Sequence, residues 1–229
     1  MPTPITEVAR LPFAPGSTFE DPSTPTGQIW HEEFLAVLQR QPGYQRLYYG
    51  RQIESPNEVL LMIDWDSLDA HKAFMSSTDY DPFVKHLLSI LDGDPQLHHA
   101  KLSPFPPTRT LSNSSNPVTE VVTFHFPASF SDSDAQDFDK AWAQTLKAFQ
   151  DNAGPGLTGS GVSGWIVEEL EIPNKTPTEK GKAFQLAFGW ESVDAHMKFR
   201  ETQAFKDNIE RVREKVAGAW SCHASLKEI

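Results

Sequence analysis

The stretch Trp190-Glu191-Ser192-Val193-Asp194-Ala195-His196, with Phe199 three residues on, has an earlier copy in Trp65-Asp66-Ser67-Leu68-Asp69-Ala70-His71 with Phe74. The copies are offset by 125 positions, and counting without a gap sets Tyr80 over Phe205 and His98 over His223. Their beginnings repeat as well. Ile5-Thr6-Glu7-Val8-Ala9 resembles Val118-Thr119-Glu120-Val121-Val122 at an offset of 113, so the second copy carries a longer interior loop. Two copies are too few for a solenoid and predict one fold duplicated and fused. The 229 residues then divide into two units of roughly 110 residues each, a size at which each can bury a modest core.

Each copy reads as strand, helix, strand, strand, helix, strand. Ile5 to Phe13 alternates apolar positions, with Pro12 confining its end to an edge or a strand exit. Ile29, Trp30, Phe34, Val37 and Leu38 recur at helical spacing from Gln28 to Gln41, and Pro42-Gly43 stops the helix. Tyr44 to Glu54 and Glu58 to Trp65 flank the turn Ser55-Pro56-Asn57 and predict a hairpin. Ser67 is placed to cap the next helix, with Asp66 and Asp69 near its positive end. A further helix over 82–91 leads to a last strand over 96–102. The second copy predicts strand 118–126, helix 134–151, strands 161–172 and 182–190, helices within 192–217 and strand 219–227, with 173–181 as the inserted loop.

This order is the split ferredoxin-like arrangement of an α+β fold. The expected organisation is a first half over 1–102, a Pro- and Ser-rich linker over 103–117 and a second half over 118–229. Helices cover one face of each four-stranded sheet, so the sister half is expected to cover the other. The two facing sheets would form an intramolecular pseudo-dimeric α/β-barrel, and a further homodimer of such chains is compatible with this arrangement.

A net charge of −11 repels phosphate backbones and argues against nucleic acid or an anionic membrane as partners. No signal-peptide pattern opens the chain and no apolar run approaches a bilayer span, so a soluble, cytoplasmic protein is expected. Cys222 is the only cysteine. It can form neither an internal disulfide nor a Cys-based metal site, and it follows Trp220 in an alternating strand as a packed thiol.

The motif Trp-[Asp/Glu]-Ser-[Leu/Val]-Asp-Ala-His-x-x-Phe after a strand resembles the dimeric α/β-barrel superfamily, specifically its antibiotic-biosynthesis-monooxygenase branch, over nearly the whole chain and twice. Fused two-copy members of this style look most like proteins of filamentous fungi, often associated with secondary metabolism. The resemblance implies a substrate pocket between the sheet and the helices of one half. The superfamily spans cofactor-free quinol or anthrone oxygenases, haem-degrading enzymes, polyketide cyclases, lactone isomerases and stress proteins. Haem-degrading relatives carry a Trp where Phe74 and Phe199 stand, so haem binding is not expected. Plant-type cyclases of the superfamily carry an acid/base His at the positions of Tyr80 and Phe205. Tyr80 can exchange a proton where Phe205 cannot, which favours the first half if only one is active.

His71 and His196 lie on the inner helix face at matching positions, where an imidazole could act as a base or could tie its helix to a strand. On the last strand of the first half, one of His98 and His99 must point inward. Candidate proton carriers are therefore Tyr80, His71, His98 and His196. The substrate-lining candidates are Trp30, Phe34, Tyr48, Tyr49, Phe74, His99 and Phe199, since flat rings pack against flat ligands. Neither a metal nor a cofactor is expected: no spacing predicts converging ligands, and the glycine-rich stretch 154–161 follows a helix and precedes a strand, the reverse of a phosphate-binding turn. The expected function is a cofactor-independent tailoring enzyme acting on an aromatic or polyketide-like small molecule by acid/base chemistry such as cyclisation, isomerisation or dehydration. The alternatives are a cofactor-free monooxygenase of an anthrone or quinol, and a non-catalytic ligand-binding or stress protein.

Overall fold

The computed structural model describes residues 2–111, 117–159, 161–175 and 179–229. The fold is mixed α+β with antiparallel sheets, and the chain forms two compact units. One comprises residues 1–99 together with 227–229, and the other comprises residues 100–226.

In the first unit, β1 (Ile5–Pro12) is followed by α1 (Pro25–Gln28), a π-helical segment Ile29–Leu35, α2 (Ala36–Gln39), β2 (Tyr44–Arg51) and β3 (Glu58–Trp65). Then come α3 (Leu68–Met75), α4 (Tyr80–Leu88) and β4 (Gln96–Ala100). The single helix expected over 28–41 is interrupted in its middle by the wider π turn, a form concentrated at functional or strained positions. Within that segment Trp30 and Phe34 stack with ring centroids 4.6 Å apart and both face the core. Gly43, between the end of α2 and the start of β2, turns the chain at φ 84°, and a Cβ there would meet the Ala70 Cβ at 2.5 Å, so only glycine fits.

The alternation in β1 sends Ile5, Ala9 and Leu11 to the helix-covered face, where they join Leu61, Ile63 and Trp65 of β3 in one apolar cluster. Glu7 lies on that same face between Ile5 and Ala9. The opposite face carries Thr6, Tyr48 and Asp64; Thr6 Oγ1 donates to Asp64 Oδ1 at 2.6 Å. Burial holds the Asp64 carboxyl up at about 6 against the hydrogen bonds from Thr6 and Tyr48 and the charge of Arg46.

The second unit contains α5 (Thr108–Leu111), β5 (Val118–His125), α6 (Asp132–Asn152), β6 (Val162–Trp165), β7 (Leu170–Glu171), β8 (Lys180–Gly181), β9 (Ala183–Trp190), α7 (Val193–Glu201), α8 (Gln203–Arg213) and β10 (Gly218–Ala224). Its four-stranded sheet runs β10-β5-β9-β6, and β7 and β8 form a separate two-stranded ribbon. The sheet of the first unit runs β11-β2-β3-β1-β4, with β11 (Lys227–Glu228) as the added strand.

Three expectations change at this level. The strand over 161–172 is two short pieces. Ser103 and Ser163 exchange backbone hydrogen bonds across the edge of β6, and Gly164 leaves no room for a Cβ beside the Lys101 carbonyl. Ser103 therefore belongs to a strand edge, and within the segment expected as a linker α5 packs on β9 with Leu111 buried. The part of that segment over 112–116, the middle of the inserted loop at 176–178 and Ser160 of the glycine-rich stretch lie outside the described residues. Third, the last expected strand stops at Ala224, and Lys227 and Glu228 pair with Tyr49 and Tyr48 of β2.

Candidate functional site

Each unit holds a buried line of four polar side chains on its helix-covered face. In the second unit β5 places Glu120 between Val118 and Val122, facing the helices, and the β5–β10 register sets His223 directly across from it. Trp190 ends β9, and its Nε1 donates to Glu120 Oε2 at 3.0 Å. Ser192 then caps α7, its Oγ accepting from the Ala195 N–H at 3.0 Å, which fixes the start of the helix that carries His196. His196 Nε2 lies 3.4 Å from Glu120 Oε2, and its Nδ1 lies 2.8 Å from His223 Nε2. Its ring stacks on Trp190 with centroids 4.8 Å apart.

The first unit has the same construction. Trp65 Nε1 donates to Glu7 Oε2 at 3.0 Å, His71 Nε2 stands 3.4 Å from that oxygen, and His71 Nδ1 stands 2.7 Å from His99 Nε2. Ser67 caps α3 through Ala70 N–H at 3.2 Å. With neutral rings, both histidine contacts are satisfied when the strand histidine donates from Nε2 to the helix histidine Nδ1, and the helix histidine turns its Nε2–H to the carboxylate. In this arrangement the carboxylate is the proton acceptor, and the two imidazoles donate toward it in series. The donor atoms of Glu7, His71 and His99 also lie within 4.8 Å of one another, a two-nitrogen, one-oxygen set suited to a divalent ion such as zinc. A metal would have to displace the proton shared across the 2.7 Å contact between the two histidines.

The two clusters differ in what lies above them. In the second unit Glu120 and His196 open onto a cavity of about 380 Å³ walled by Phe124, Trp142, Phe149, Phe188 and Phe199, with Arg200 and Arg213 also on its lining. In the first unit the cavity over Glu7 and His71 is only about 100 Å³. Phe83 helps to close it by stacking on Phe34 at 5.0 Å and meeting Phe74 edge-on at 5.1 Å. The matching position in the second unit is Asn208, whose side chain turns back to the Ala204 carbonyl at 2.8 Å.

The structure gathers some sequence candidates and separates others. Tyr80, His71, Phe74 and Phe34 surround the small cavity, with His99 bonded behind His71. Burial, then Glu7 and Asp81, push the Tyr80 hydroxyl above its ordinary value, so it keeps its proton and suits a donor better than a base. His98 does not join the cluster; β4 turns His99 to His71 instead, and the gapless count is one residue out at this strand. Trp30 and Tyr49 pack with Phe13 and Phe19 in an aromatic core away from either cavity, and Tyr48 lies on the opposite sheet face beside Asp64. His196 and Phe199 line the larger cavity. The two carboxylates, His223 and the arginine pair were not singled out as site residues. The signal for Glu7 and Glu120 was in the repeated first strands, where both copies keep an acid in line with apolar inward positions.

Residues 28–86 match the family model described as Antibiotic biosynthesis monooxygenase. No curated protein sequence matches this one. Among solved structures, an anthrone oxidase-like protein aligns with TM-score 0.67 and 16% identity, covering 99% of this chain and 93% of its own. A protein provisionally assigned as a monooxygenase from Fusobacterium nucleatum aligns with TM-score 0.60 and 12% identity over 99% of this chain and 94% of its own. A similarly assigned protein from Lactobacillus acidophilus gives 0.57 and 15% over 98% and 94%. Among the described residues no helix is long and apolar enough to cross a membrane. By these comparisons, residues 28–86 are similar to the antibiotic biosynthesis monooxygenase family model, and the chain shares its fold with single chains of nearly the same extent.

Proposed function

We propose that the second unit is a cofactor-independent monooxygenase site for an aromatic, anthrone- or quinol-like small molecule. The observation that carries this reading is the Glu120–His196–His223 line opening onto a large cavity walled by aromatic rings. A flat substrate fits between those rings, and its acidic C–H or O–H meets the Glu120–His196 pair, which takes the proton. For an anthrone the resulting carbanion passes electrons to O₂, a carbon–oxygen bond forms, and loss of water leaves the quinone carbonyl. The protein then supplies a dry cavity and one proton acceptor, while the substrate itself is the reductant. The fold shared with an anthrone oxidase-like protein supports oxidation as the outcome, and the family match over 28–86, which lies in the first unit, bears on this site through the likeness of the two polar lines.

The same proton abstraction serves the cyclisation or isomerisation expected from the sequence, which is the second reading. We further propose that the units are fused copies of one βαββαβ module, on their matching strand orders and duplicated polar lines; the barrel closure expected from the sequence goes with that proposal. The deciding experiment follows oxygen uptake with 1,8-dihydroxyanthrone. One O₂ consumed per quinone formed, falling by about 10²-fold or more in His196→Gln, is the expected result. Turnover of a polyketide without oxygen uptake would favour the acid/base reading, and a His196→Gln variant with full activity would remove this site from either.

A further inference from the structure

The larger cavity has two chemically opposite ends. Its floor is the buried carboxylate of Glu120, hydrogen-bonded to Trp190. Its solvent-side edge carries Arg200 and Arg213, both exposed, on α7 and α8. Their guanidinium carbons stand 6.0 Å and 5.7 Å from the ring centre of Phe205, so the two cations are gathered at one aromatic wall. Arg213 has a long contact of 3.7 Å to Glu210, and Arg200 approaches the Met197 sulfur at 3.9 Å. Nothing at the matching positions of the first unit repeats this. There Met75 and Leu88 stand in their places, each more than 40% exposed, and Tyr80 replaces Phe205. The arginines therefore belong to the second cavity alone, in a chain whose net charge is −11.

We propose that this cavity selects flat aromatic molecules bearing one carboxylate or comparable anionic group, which Arg200 and Arg213 hold at the rim while the uncharged end is presented to Glu120 and His196. The inference rests on the second cavity being the substrate site. A guanidinium offers a planar fork that fits a carboxylate with two parallel hydrogen bonds, and two forks at one rim can share a single anion. At the other end, the Glu120 carboxylate repels a second negative charge in a poorly solvated setting, where the repulsion is stronger than in water. An aromatic acid is thus admitted in one orientation, and that orientation brings its reacting edge, not its acid group, to the proton acceptor. The arginines are binding and orienting groups. The chemistry stays with Glu120 and His196.

The test is calorimetric titration of the full chain with 3-hydroxy-2-naphthoate and with its methyl ester, which keeps the rings and removes the charge. Wild type should bind the acid at least tenfold more tightly than the ester. The double variant Arg200→Gln, Arg213→Gln alters two exposed side chains, and should bind both ligands with the affinity of wild type for the ester. Equal affinities in wild type, or a preference for the acid that survives in the double variant, would overturn the proposal while leaving the cavity as a site for neutral aromatics. Failure of wild type to bind either ligand would overturn it together with the assignment of the cavity as the substrate site.

Discussion

His196 Nδ1 and His223 Nε2 stand 2.8 Å apart at the back of the larger cavity, and His71 Nδ1 and His99 Nε2 stand 2.7 Å apart behind the smaller one. Equal geometry with unequal access predicts unequal consequences. Replacing His196 by Gln should lower turnover by roughly 10²- to 10⁴-fold, the usual worth of general acid–base catalysis, because it breaks the line that holds the Glu120 acceptor. Replacing His71 by Gln should leave turnover within about twofold and instead cost roughly 1–3 kcal/mol of stability, because it disturbs a buried hydrogen-bonded line. Initial rates and denaturant unfolding on the two variants decide the matter; equal loss of rate in both would mean that both units work.

Helix capping gives a second, milder handle on the same group. Ser192 accepts from the first turn of α7, three residues before the Ala195-His196 pair is set, and Ser192→Ala should cost about 1 kcal/mol. Because α7 starts less firmly, turnover should fall with little change in KM. A variant destabilised to that degree but unchanged in kcat would show that Trp190 and the sheet alone position His196.

The plug of the smaller cavity is testable by removal. Phe83 is buried and packs against Phe34, Phe74 and Tyr80, so Phe83→Ala should destabilise by about 3–5 kcal/mol in unfolding experiments. An aromatic ligand that fits the space should recover part of that loss by binding the folded state, read as a rise in Tm with ligand concentration. A cost below about 1 kcal/mol would mean that the wall collapses onto the gap.

Asp64 predicts a pH signature outside either cavity. Its folded value is raised to about 6 from 3.8, with burial as the largest cause. The unfolded chain releases this proton first, so the group's contribution to stability is full below pH 3.8 and is lost as the pH rises through about 6. Asp64→Asn keeps an acceptor for the Thr6 hydroxyl and removes the titration. It should flatten the stability profile across that window, by on the order of 3 kcal/mol at most. Urea midpoints at several pH values give the comparison, and parallel profiles for wild type and variant would show that the carboxyl titrates normally.

Much of this arrangement was legible in the repeated motif. Trp65 and Trp190, Ser67 and Ser192, and His71 and His196 occupy matching strand ends, caps and inner helix faces because hydrophobic periodicity and capping chemistry are local and visible. His98 against His99 was not, because α4 spans 9 residues and α8 spans 11, and the connections to the last strands differ. A slip of one residue in a strand turns a side chain to the other face. Glu7 and Glu120 carry no such local signal, although both fall within the repeated first strand. A lone acid in an apolar strand has meaning only once its partners, some 60 to 100 residues away, are known. Cavity size was hidden for a similar reason: side chains such as Phe83, which lines the smaller cavity, and Asn208, which turns back along its own helix, are placed by packing that the sequence does not show.

The duplicated polar line gives this chain its own reference sample. Any substitution at Glu120, Trp190, His196 or His223 has a chemically matched partner at Glu7, Trp65, His71 or His99 in the same molecule, at the same expression level and in the same tube. The usual difficulty in assigning a buried histidine is that loss of chemistry and loss of folding look alike. If the larger cavity is the substrate site, the two effects can be subtracted from one another, with the unit of the smaller cavity reporting what the hydrogen bonds do for folding and the unit of the larger cavity reporting what they add for the substrate.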